Sequence, residues 1–218
     1  NAFNTAVGHD AGTAVTTGID NTLIGATAGD ALTDADYNVA LGMQALGADT
    51  LGSRSTAIGR RSLYTQNFTT ATDTNNTAVG FNSGYSVTTG IQNTLIGAEA
   101  GDALTDADYN VAVGVQALSS DTLGSQSVAI GNLALFSQNF TTATATYNTA
   151  VGQSAGYAVT TGTRNTLVGA LAGVGLTTGG SNVALGYEAL KTEDAHGLNT
   201  AIGTQALFSL NAGAHAYN

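Results

Sequence analysis

The sequence predicts an all-β protein that folds as a parallel β-solenoid (β-roll) of about twelve short coils. The first observation is a recurring five-residue word, Asn/Ser-Thr/Val-Ala/Leu-Val/Ile/Leu-Gly. It begins at Asn4, Asn21, Asn38, Ser55, Asn76, Asn93, Asn110, Ser127, Asn148, Asn165, Asn182 and Asn199. The second observation is the spacing of these starts, which follows a fixed cycle of three 17-residue steps and one 21-residue step. Repeats this short are below the roughly thirty residues that a helical repeat needs.

The spacing also predicts the organisation of the chain. Three steps of 17 and one of 21 make a 72-residue super-repeat, so the chain reads as one solenoid over 1–218 with three super-repeats, 4–75, 76–147 and 148–218. Each super-repeat holds four coils that keep their identities. The eighth residue after the start of the word is Gly, Gly, Leu and Leu in successive coils, as at Gly12, Gly29, Leu46 and Leu63.

Each coil is expected to contain two short strands joined by turns. The word is the first strand, and its closing glycine begins a turn that needs a residue without a Cβ. The second strand is expected at Ala14-Val15-Thr16-Thr17-Gly18 and its equivalents. Stacked coils pair their backbones at about 4.8 Å, and the leading asparagines then form an amide ladder.

Alternation along the strand divides the word into two faces. Ala and Gly of the word share one face, which is small enough for a tightly closed interior. The aliphatic residue then points outward, and we expect this stripe to be an interface between chains because soluble monomers rarely expose so long an apolar surface. The stripe comprises Val7, Ile24, Leu41, Ile58, Val79, Ile96, Val113, Ile130, Val151, Val168, Leu185 and Ile202. The opposite parity, with the aliphatic residues inside a wider coil, would suit a monomer.

Composition and charge exclude several classes of partner. The formal net charge is −10 with five Lys and Arg residues in all, which argues against nucleic-acid binding. It argues equally against docking on anionic lipid, and no apolar run approaches the length that spans a bilayer. No Cys is present, so disulfides and Cys-based metal sites are excluded.

The words Asn-Thr-Ala-Val-Gly, Ser-Thr-Ala-Ile-Gly and Ser-Val-Ala-Ile-Gly, the last at 127–131, resemble the head repeat of YadA-type trimeric autotransporter adhesins. Similar words occur in phage tail-fibre proteins and bacterial surface fibre proteins. The resemblance covers 4–207 and implies a left-handed parallel β-roll, three chains packed on their aliphatic faces, and attachment to surfaces or matrix. The coils of that family are commonly shorter than the 17-residue and 21-residue coils of this chain.

An acidic turn is the one candidate metal site. Asp30, Asp34 and Asp36 recur as Asp102, Asp106 and Asp108, and clustered carboxylates suit Ca²⁺, which takes six to eight oxygen ligands. The third copy has Val174, Thr178 and Gly180 in their places, so the fold does not require the carboxylates. The simpler interpretation is a solvated turn.

The 21-residue coils carry extra residues at 64–75, 136–147 and 208–218. Loops on a rigid scaffold often carry recognition, so Asn67, Phe68, Asn139 and Phe140 are candidate residues of protruding loops. Asn67-Phe68-Thr69 and Asn139-Phe140-Thr141 also match the N-glycosylation sequon. The alternative is that each Phe folds back to cover the coil, because aromatic side chains usually find cover.

No catalytic constellation stands out, and no cofactor is indicated. We expect a non-catalytic structural subunit of an extracellular fibre or surface appendage that stacks head to tail through uncapped solenoid ends. The alternative is a trimeric adhesin head, or a phage tail-fibre segment on a virion, that binds a surface glycan or matrix protein. Ice binding is disfavoured because the pairs Thr16-Thr17, Thr88-Thr89 and Thr160-Thr161 return once per four coils.

Overall fold

The structure is a computed structural model that describes residues 2–210 and residue 218. These residues form β-strands and turns without any α-helix, so the predicted β-solenoid of about twelve coils is confirmed. No helix with the length and apolar character needed to cross a bilayer occurs in this part of the chain. Contacts group the coils into two units, Asn1–Tyr109 and Asn110–Asn218, each with six copies of the word.

Unit 1 contains eight strands, six of which form a parallel sheet. The strands are β1 Thr5–Val7, β2 Thr22–Ile24, β3 Val39–Leu41, β4 Gly52–Ser53, β5 Thr56–Ile58, β6 Thr72–Asp73, β7 Thr77–Val79 and β8 Thr94–Ile96. The sheet has the order β1-β2-β3-β5-β7-β8. Strands β4 and β6 pair separately, also in parallel.

Unit 2 repeats this arrangement with eight strands of its own. They are β9 Val111–Val113, β10 Gly124–Ser125, β11 Val128–Ile130, β12 Thr144–Ala145, β13 Thr149–Val151, β14 Thr166–Val168, β15 Val183–Leu185 and β16 Thr200–Ile202. Six of them follow the order β9-β11-β13-β14-β15-β16. The remaining two, β10 and β12, form a parallel pair.

Stacking is in strict register, so like residues lie over like residues. Thr5 pairs with Thr22, and Val7 pairs with Ile24. The leading asparagines form the expected ladder. The backbone N–H of Asn21 donates to Asn4 Oδ1 at 2.8 Å, and its side-chain amide donates to the carbonyl of Ala35 at 2.7 Å. Asn21 is buried. The ladder therefore gives hydrogen-bond partners to polar groups that a closed coil would otherwise leave buried without any.

The glycine that closes a word is required wherever the next coil approaches it closely. Gly8 has a φ of +140°, and a Cβ built there would lie 2.5 Å from the carbonyl oxygen of Gly25. No L-residue fits both that angle and that spacing. The sequence-based assignment of this glycine to a tight turn is confirmed.

The predicted second strand at 14–18 is wrong for most coils. Thr16, Thr17 and Gly18 all donate their backbone N–H groups to the single carbonyl of Thr33, at 3.0, 3.3 and 3.2 Å, which is the geometry of a bend. Residues with a left-handed backbone conformation lie on both sides, such as Gly12 (φ +62°) and Asp20 (φ +57°), and they limit the length of extended backbone between them. Within residues 2–210, a second strand forms beside the first two 21-residue coils, where β4 pairs with β6 and β10 pairs with β12.

Packing inside unit 1 explains why the four coils of a super-repeat differ. In β2 the central residue is Leu23, which is fully buried, and its two methyl groups occupy the space beside Gly12 and Gly29. The next two coils have the reverse arrangement, with Ala in the strand and buried Leu46 or Leu63 in the turn. A large side chain in one place therefore requires a small one in the other, because interiors are close-packed.

A buried polar network closes the 21-residue coil of unit 1. We use this name for Asp49, Ser55, Gln66, Thr74 and Asn76, all of them buried. The Gln66 amide donates to Asp49 Oδ2 at 2.5 Å and to Ser55 Oγ at 2.9 Å, and its oxygen accepts from the Asn76 amide at 2.9 Å. Unit 2 contains the same network in Asp121, Ser127, Gln138, Thr146 and Asn148. Burial raises the pKa of the Asp49 carboxyl, and the Gln66 amide opposes that rise.

Candidate interaction surface

The aliphatic stripe lies on the outside of each unit. The central residue of each word from β2 to β16 is buried, as Ala40 and Leu95 illustrate. The aliphatic residue beside it is exposed or half-buried, with exposed fractions of 58% at Val7, 41% at Leu41 and 46% at Leu185. The structure therefore has the parity in which Ala faces the interior. The twelve residues of the stripe divide into Val7 to Ile96 in unit 1 and Val113 to Ile202 in unit 2.

Two flanking columns widen this apolar surface, and the sequence did not single them out. One column is the residue before each word, which includes the exposed Phe3, Tyr37, Tyr109, Tyr147 and Leu198. The other column is the residue after the closing glycine, which includes the exposed Met43, Phe81, Val115 and Tyr187. We call the two outward positions of each strand, together with these two flanking positions, the outer face.

Arginine side chains lie flat along the flanking columns of unit 1. The Arg54 guanidinium is 5.3 Å from the centre of the Tyr37 ring and pairs with Asp73 at 2.9 Å. The Arg60 guanidinium is 5.6 Å from the centre of the Phe81 ring. Such stacking covers the apolar stems and leaves the charge at the margin of the outer face.

Carboxylates are almost absent from the outer face. The chain has fifteen Asp and Glu residues, and Asp20 is the only one of them at an outer-face position. Protein interfaces are enriched in aromatic residues, Met and Arg and are depleted of Asp and Glu. The outer face of this acidic chain has that composition. Its threonine column is interrupted by Val39 in unit 1 and by Val111, Val128 and Val183 in unit 2, so no continuous hydroxyl ladder forms.

The extra residues of the 21-residue coils do not present exposed aromatic rings at Phe68 and Phe140. These rings are 7% and 6% exposed, so the alternative in which each ring folds back is the one observed. The backbone N–H of Phe68 donates to Asp49 Oδ1 at 3.2 Å, which fixes the ring inward. Asn67 and Asn139 are exposed, and each accepts a hydrogen bond from a threonine hydroxyl. Of the third segment, 208–218, residues 211–217 and thus His215 lie outside the described residues.

Four of the six candidate Ca²⁺ residues accept hydrogen bonds from neighbouring coils, and the six are not gathered into one site. Asp34 and Asp106 accept hydrogen bonds from the Thr17 and Thr89 hydroxyls, at 2.5 and 2.7 Å. Asp36 and Asp108 have a similar role. Each accepts a hydrogen bond of 2.8 Å from a backbone N–H of the preceding coil, that of Ile19 or Ile91. Within residues 2–210 and 218, one group of three His or acidic side chains is close enough to share a metal, and it lies at 193–196.

Burial raises the pKa of the Asp30 carboxyl, and the effect is larger at Asp102, the equivalent residue of the second acidic turn. Burial raises the pKa of its carboxyl to about 6, and repulsion from Glu99 adds to the rise. One carboxylate oxygen is buried without a hydrogen-bond partner. The third super-repeat has Val174 at the same position, so the coil does not need a charge there.

Replacing Asp102 is expected to stabilise the protein at neutral pH. The folded-state pKa of about 6 exceeds the reference value of 3.8, so the favourable contribution of this group exists below pH 3.8 and is lost as the pH rises through 6. After allowance for solvent screening of a half-buried group, Asp102→Asn should raise the free energy of unfolding by about 1 kcal/mol at pH 7.5. Urea denaturation at pH 7.5 and pH 4.5 measures the effect.

The control for this prediction is Asp20→Asn, which removes the same charge at an exposed residue. Asp20 has a φ of +57°, and Asn tolerates that conformation. The gain from Asp102→Asn should shrink at pH 4.5, where the native carboxyl is largely protonated. An equal gain at both pH values would contradict the assigned cause.

Comparisons with known proteins identify no relative of this chain. No protein-family model matches the chain, and searches of curated proteins and of solved structures give no match either. The resemblance to YadA-type head repeats therefore stays a prediction from the repeated word.

Proposed function

We propose that this chain is a non-catalytic structural unit of an extracellular fibre or surface appendage, and that it self-associates through the outer face. The observation that carries the proposal is the composition of that face. It combines an exposed aliphatic stripe with aromatic residues, Met43 and stacked arginines, while fourteen of the fifteen acidic residues lie elsewhere. Exposed apolar surfaces of this extent mark interaction sites.

A second copy of the chain is the partner that suits this surface. Within each unit the outer face repeats at every coil, so a like face can match it coil by coil, as the strands themselves do. A partner of opposite charge is not indicated, because the face carries few charges of either sign. Like copies would bury the aliphatic stripe of one against that of another and would leave the acidic turns in solvent.

End-to-end stacking is the second contact of the proposal. All three residues of β1 are exposed, whereas the central residue of the equivalent strand β7 is buried. At the other end, the carbonyl of Asn218 accepts the Thr200 N–H at 2.7 Å, as that of Asn76 accepts the Thr56 N–H at 2.8 Å. A further coil, from another copy or from a continuation of the chain, would extend the same ladder.

The test is to substitute one residue of the stripe and to measure assembly. Leu41→Glu places a carboxylate at an exposed position between Ile24 and Ile58, so the monomer should fold normally. Burying that charge between chains costs several kcal/mol, and we expect the dissociation constant for self-association to rise at least a hundredfold, or about 3 kcal/mol. Sedimentation velocity over a range of concentrations gives that constant.

Thr70→Glu is the matched control, because Thr70 is exposed on a 21-residue coil away from the outer face. It adds the same charge and should leave assembly unchanged. Equal assembly of Leu41→Glu and the wild type would remove the outer face from the proposal. A wild type that stays monomeric at every concentration would overturn the proposal itself.

Negative-stain electron microscopy at two concentrations separates the fibre from its alternative. Open filaments that lengthen with concentration support a structural fibre. Discrete particles of three chains support instead a trimeric adhesin head or tail-fibre segment, whose ligand would be a glycan or matrix protein. Both assemblies would use the outer face. They differ in whether the contacts close into a finite particle or continue into a filament.

A further inference from the structure

We propose that Glu193, Asp194 and His196 form a binding site for one divalent transition-metal ion, with Zn²⁺ as the reference ion. This cluster lies in the turn of the third coil of the third super-repeat, within unit 2. It is separate from the outer face, and the inference does not depend on the proposed function.

The same turn in the other two super-repeats holds a buried carboxylate with a purely structural role. Asp49 Oδ1 accepts the N–H of Gly52, three residues later, at 3.0 Å, and Asp121 Oδ1 accepts that of Gly124 at 3.1 Å. The second oxygen of each accepts the amide of Gln66 or Gln138 at 2.5 Å. Both oxygens of each carboxylate are thus occupied by protein donors.

The third super-repeat changes this turn at several positions together. Glu193 stands where the other copies have Asp, Asp194 replaces Thr50 and Thr122, and His196 replaces the glycine. Leu210 takes the place of Gln66 and Gln138. The chain has only three histidines, and His196 lies close to the carboxylates of Glu193 and Asp194.

The geometry brings one ligand atom from each of the three side chains within 4.8 Å of the others. Glu193 Oε1 lies 3.0 Å from His196 Nδ1 and also accepts the backbone N–H of His196 at 3.0 Å. Two ligand atoms at about 2.0–2.1 Å from one Zn²⁺ are themselves about 3 Å apart. An ion bound to both atoms would displace any proton between them and would lie to one side of the line that joins them, so the His196 ring must turn to point its Nδ1 lone pair at the ion.

Burial and anchoring hold the cluster in place. Glu193 is fully buried, the His196 side chain is 23% exposed and Asp194 is exposed, so the site has a fixed floor and an open side. The carbonyl of Asp194 accepts the backbone N–H of Thr177 at 2.5 Å and its hydroxyl at 2.8 Å. Solvent would supply the remaining ligand at the open side.

The donor set selects the class of ion. One imidazole nitrogen and two carboxylates suit Zn²⁺ and its neighbours, which accept mixed nitrogen and oxygen ligands. Ca²⁺ requires six to eight oxygen ligands, and two carboxylates do not meet that number. We therefore expect Zn²⁺ to bind and Ca²⁺ at the same concentration not to bind.

The experiment is calorimetric titration of the chelator-treated full chain with Zn²⁺, together with Co²⁺ titration followed by absorbance. The expected result is one ion per chain and a rise in melting temperature on binding, since a ligand that binds the folded state stabilises it. His196→Gly restores the residue of the other two super-repeats and should weaken binding at least tenfold. Circular dichroism checks that the variant keeps its fold.

His9→Ala and His215→Ala are the matched controls, because each removes another of the three histidines. Both should bind Zn²⁺ as the wild type does. The proposal is overturned if the wild type binds no ion, if His196→Gly binds as tightly as the wild type, or if either control loses the site. Equal binding of Ca²⁺ would also overturn it.

Discussion

Gln66→Leu is expected to lower the free energy of unfolding by about 3–5 kcal/mol, the range for breaking a buried, charge-bearing hydrogen-bond network. The substitution removes the donor to Asp49 and Ser55 and the acceptor of the Asn76 amide in one step. All of these groups are buried, so water cannot replace the lost partner. Chemical denaturation of the wild type and the variant measures the difference.

The loss should depend on pH in a defined direction. Burial already raises the pKa of Asp49, and loss of the Gln66 amide removes an interaction that lowers it. A carboxyl whose folded-state pKa is raised contributes stability at low pH and loses it as the pH rises through that pKa. Gln66→Leu should therefore cost less at pH 5 than at pH 8.

The controls for this prediction come from the repeat itself. Gln138→Leu makes the same change in unit 2 and should cost a similar amount. Gln153→Leu places the same residue at an exposed position and should change stability by less than about 0.5 kcal/mol. A loss below about 1 kcal/mol for Gln66→Leu, the net value of one ordinary hydrogen bond, would show that the network contributes little.

Leu95→Ala is expected to destabilise the protein by about 3 kcal/mol, within the range for deleting a buried leucine side chain. Leu95 is fully buried at the centre of β8. A Cβ on Gly84 would lie 2.7 Å from its Cδ1, and a Cβ on Gly101 would lie 2.7 Å from its Cδ2. The side chain thus fills the space that both glycines leave. Chemical denaturation again measures the loss.

A double-mutant cycle with Gly101→Ala tests that explanation. Gly101→Ala alone adds a methyl group against Leu95 and Leu104 at a φ of +56° and should cost about 2 kcal/mol. In the presence of Leu95→Ala, part of that space is free, so the double variant should be more stable than the sum of the single losses by about 1 kcal/mol or more. Strict additivity would mean that the Leu and Gly positions do not compensate each other.

The coils, their inner and outer faces and the asparagine ladder could be predicted from the sequence, because they depend only on the five-residue word and its spacing. A fixed word at fixed spacing identifies the coils, and alternation within it places Ala40 inside and Leu41 outside. The leading asparagines form their ladder because in-register stacking leaves each amide one neighbour above and one below. These inferences need only the strand period and the repeat length.

Other features depend on backbone conformations that cannot be predicted from the residue types. Tyr37 and Leu46 have φ values of +60° and +50°, which bulky residues rarely adopt. Without knowledge of those turns, the segment at 14–18 reads as a strand and the flanking columns of the outer face escape notice. Phe68 turns inward because Asp49, which precedes it by a whole coil, accepts its N–H. The cluster at 193–196 lies within four consecutive residues, but the turn decides which of its ligand atoms approach one another.

The compensation between Leu23 and its neighbouring glycines has a consequence for how genes of this kind can change length. The segments at 21–42 and 93–114 are nearly identical, so unequal crossing-over between them would remove or add one whole super-repeat. Such an event keeps every bulky residue opposite its small partner. Loss of the single coil 76–92 would instead remove Gly84, the glycine that leaves room for both Leu63 and Leu95. Natural length variants of this array should therefore differ by whole sets of four coils.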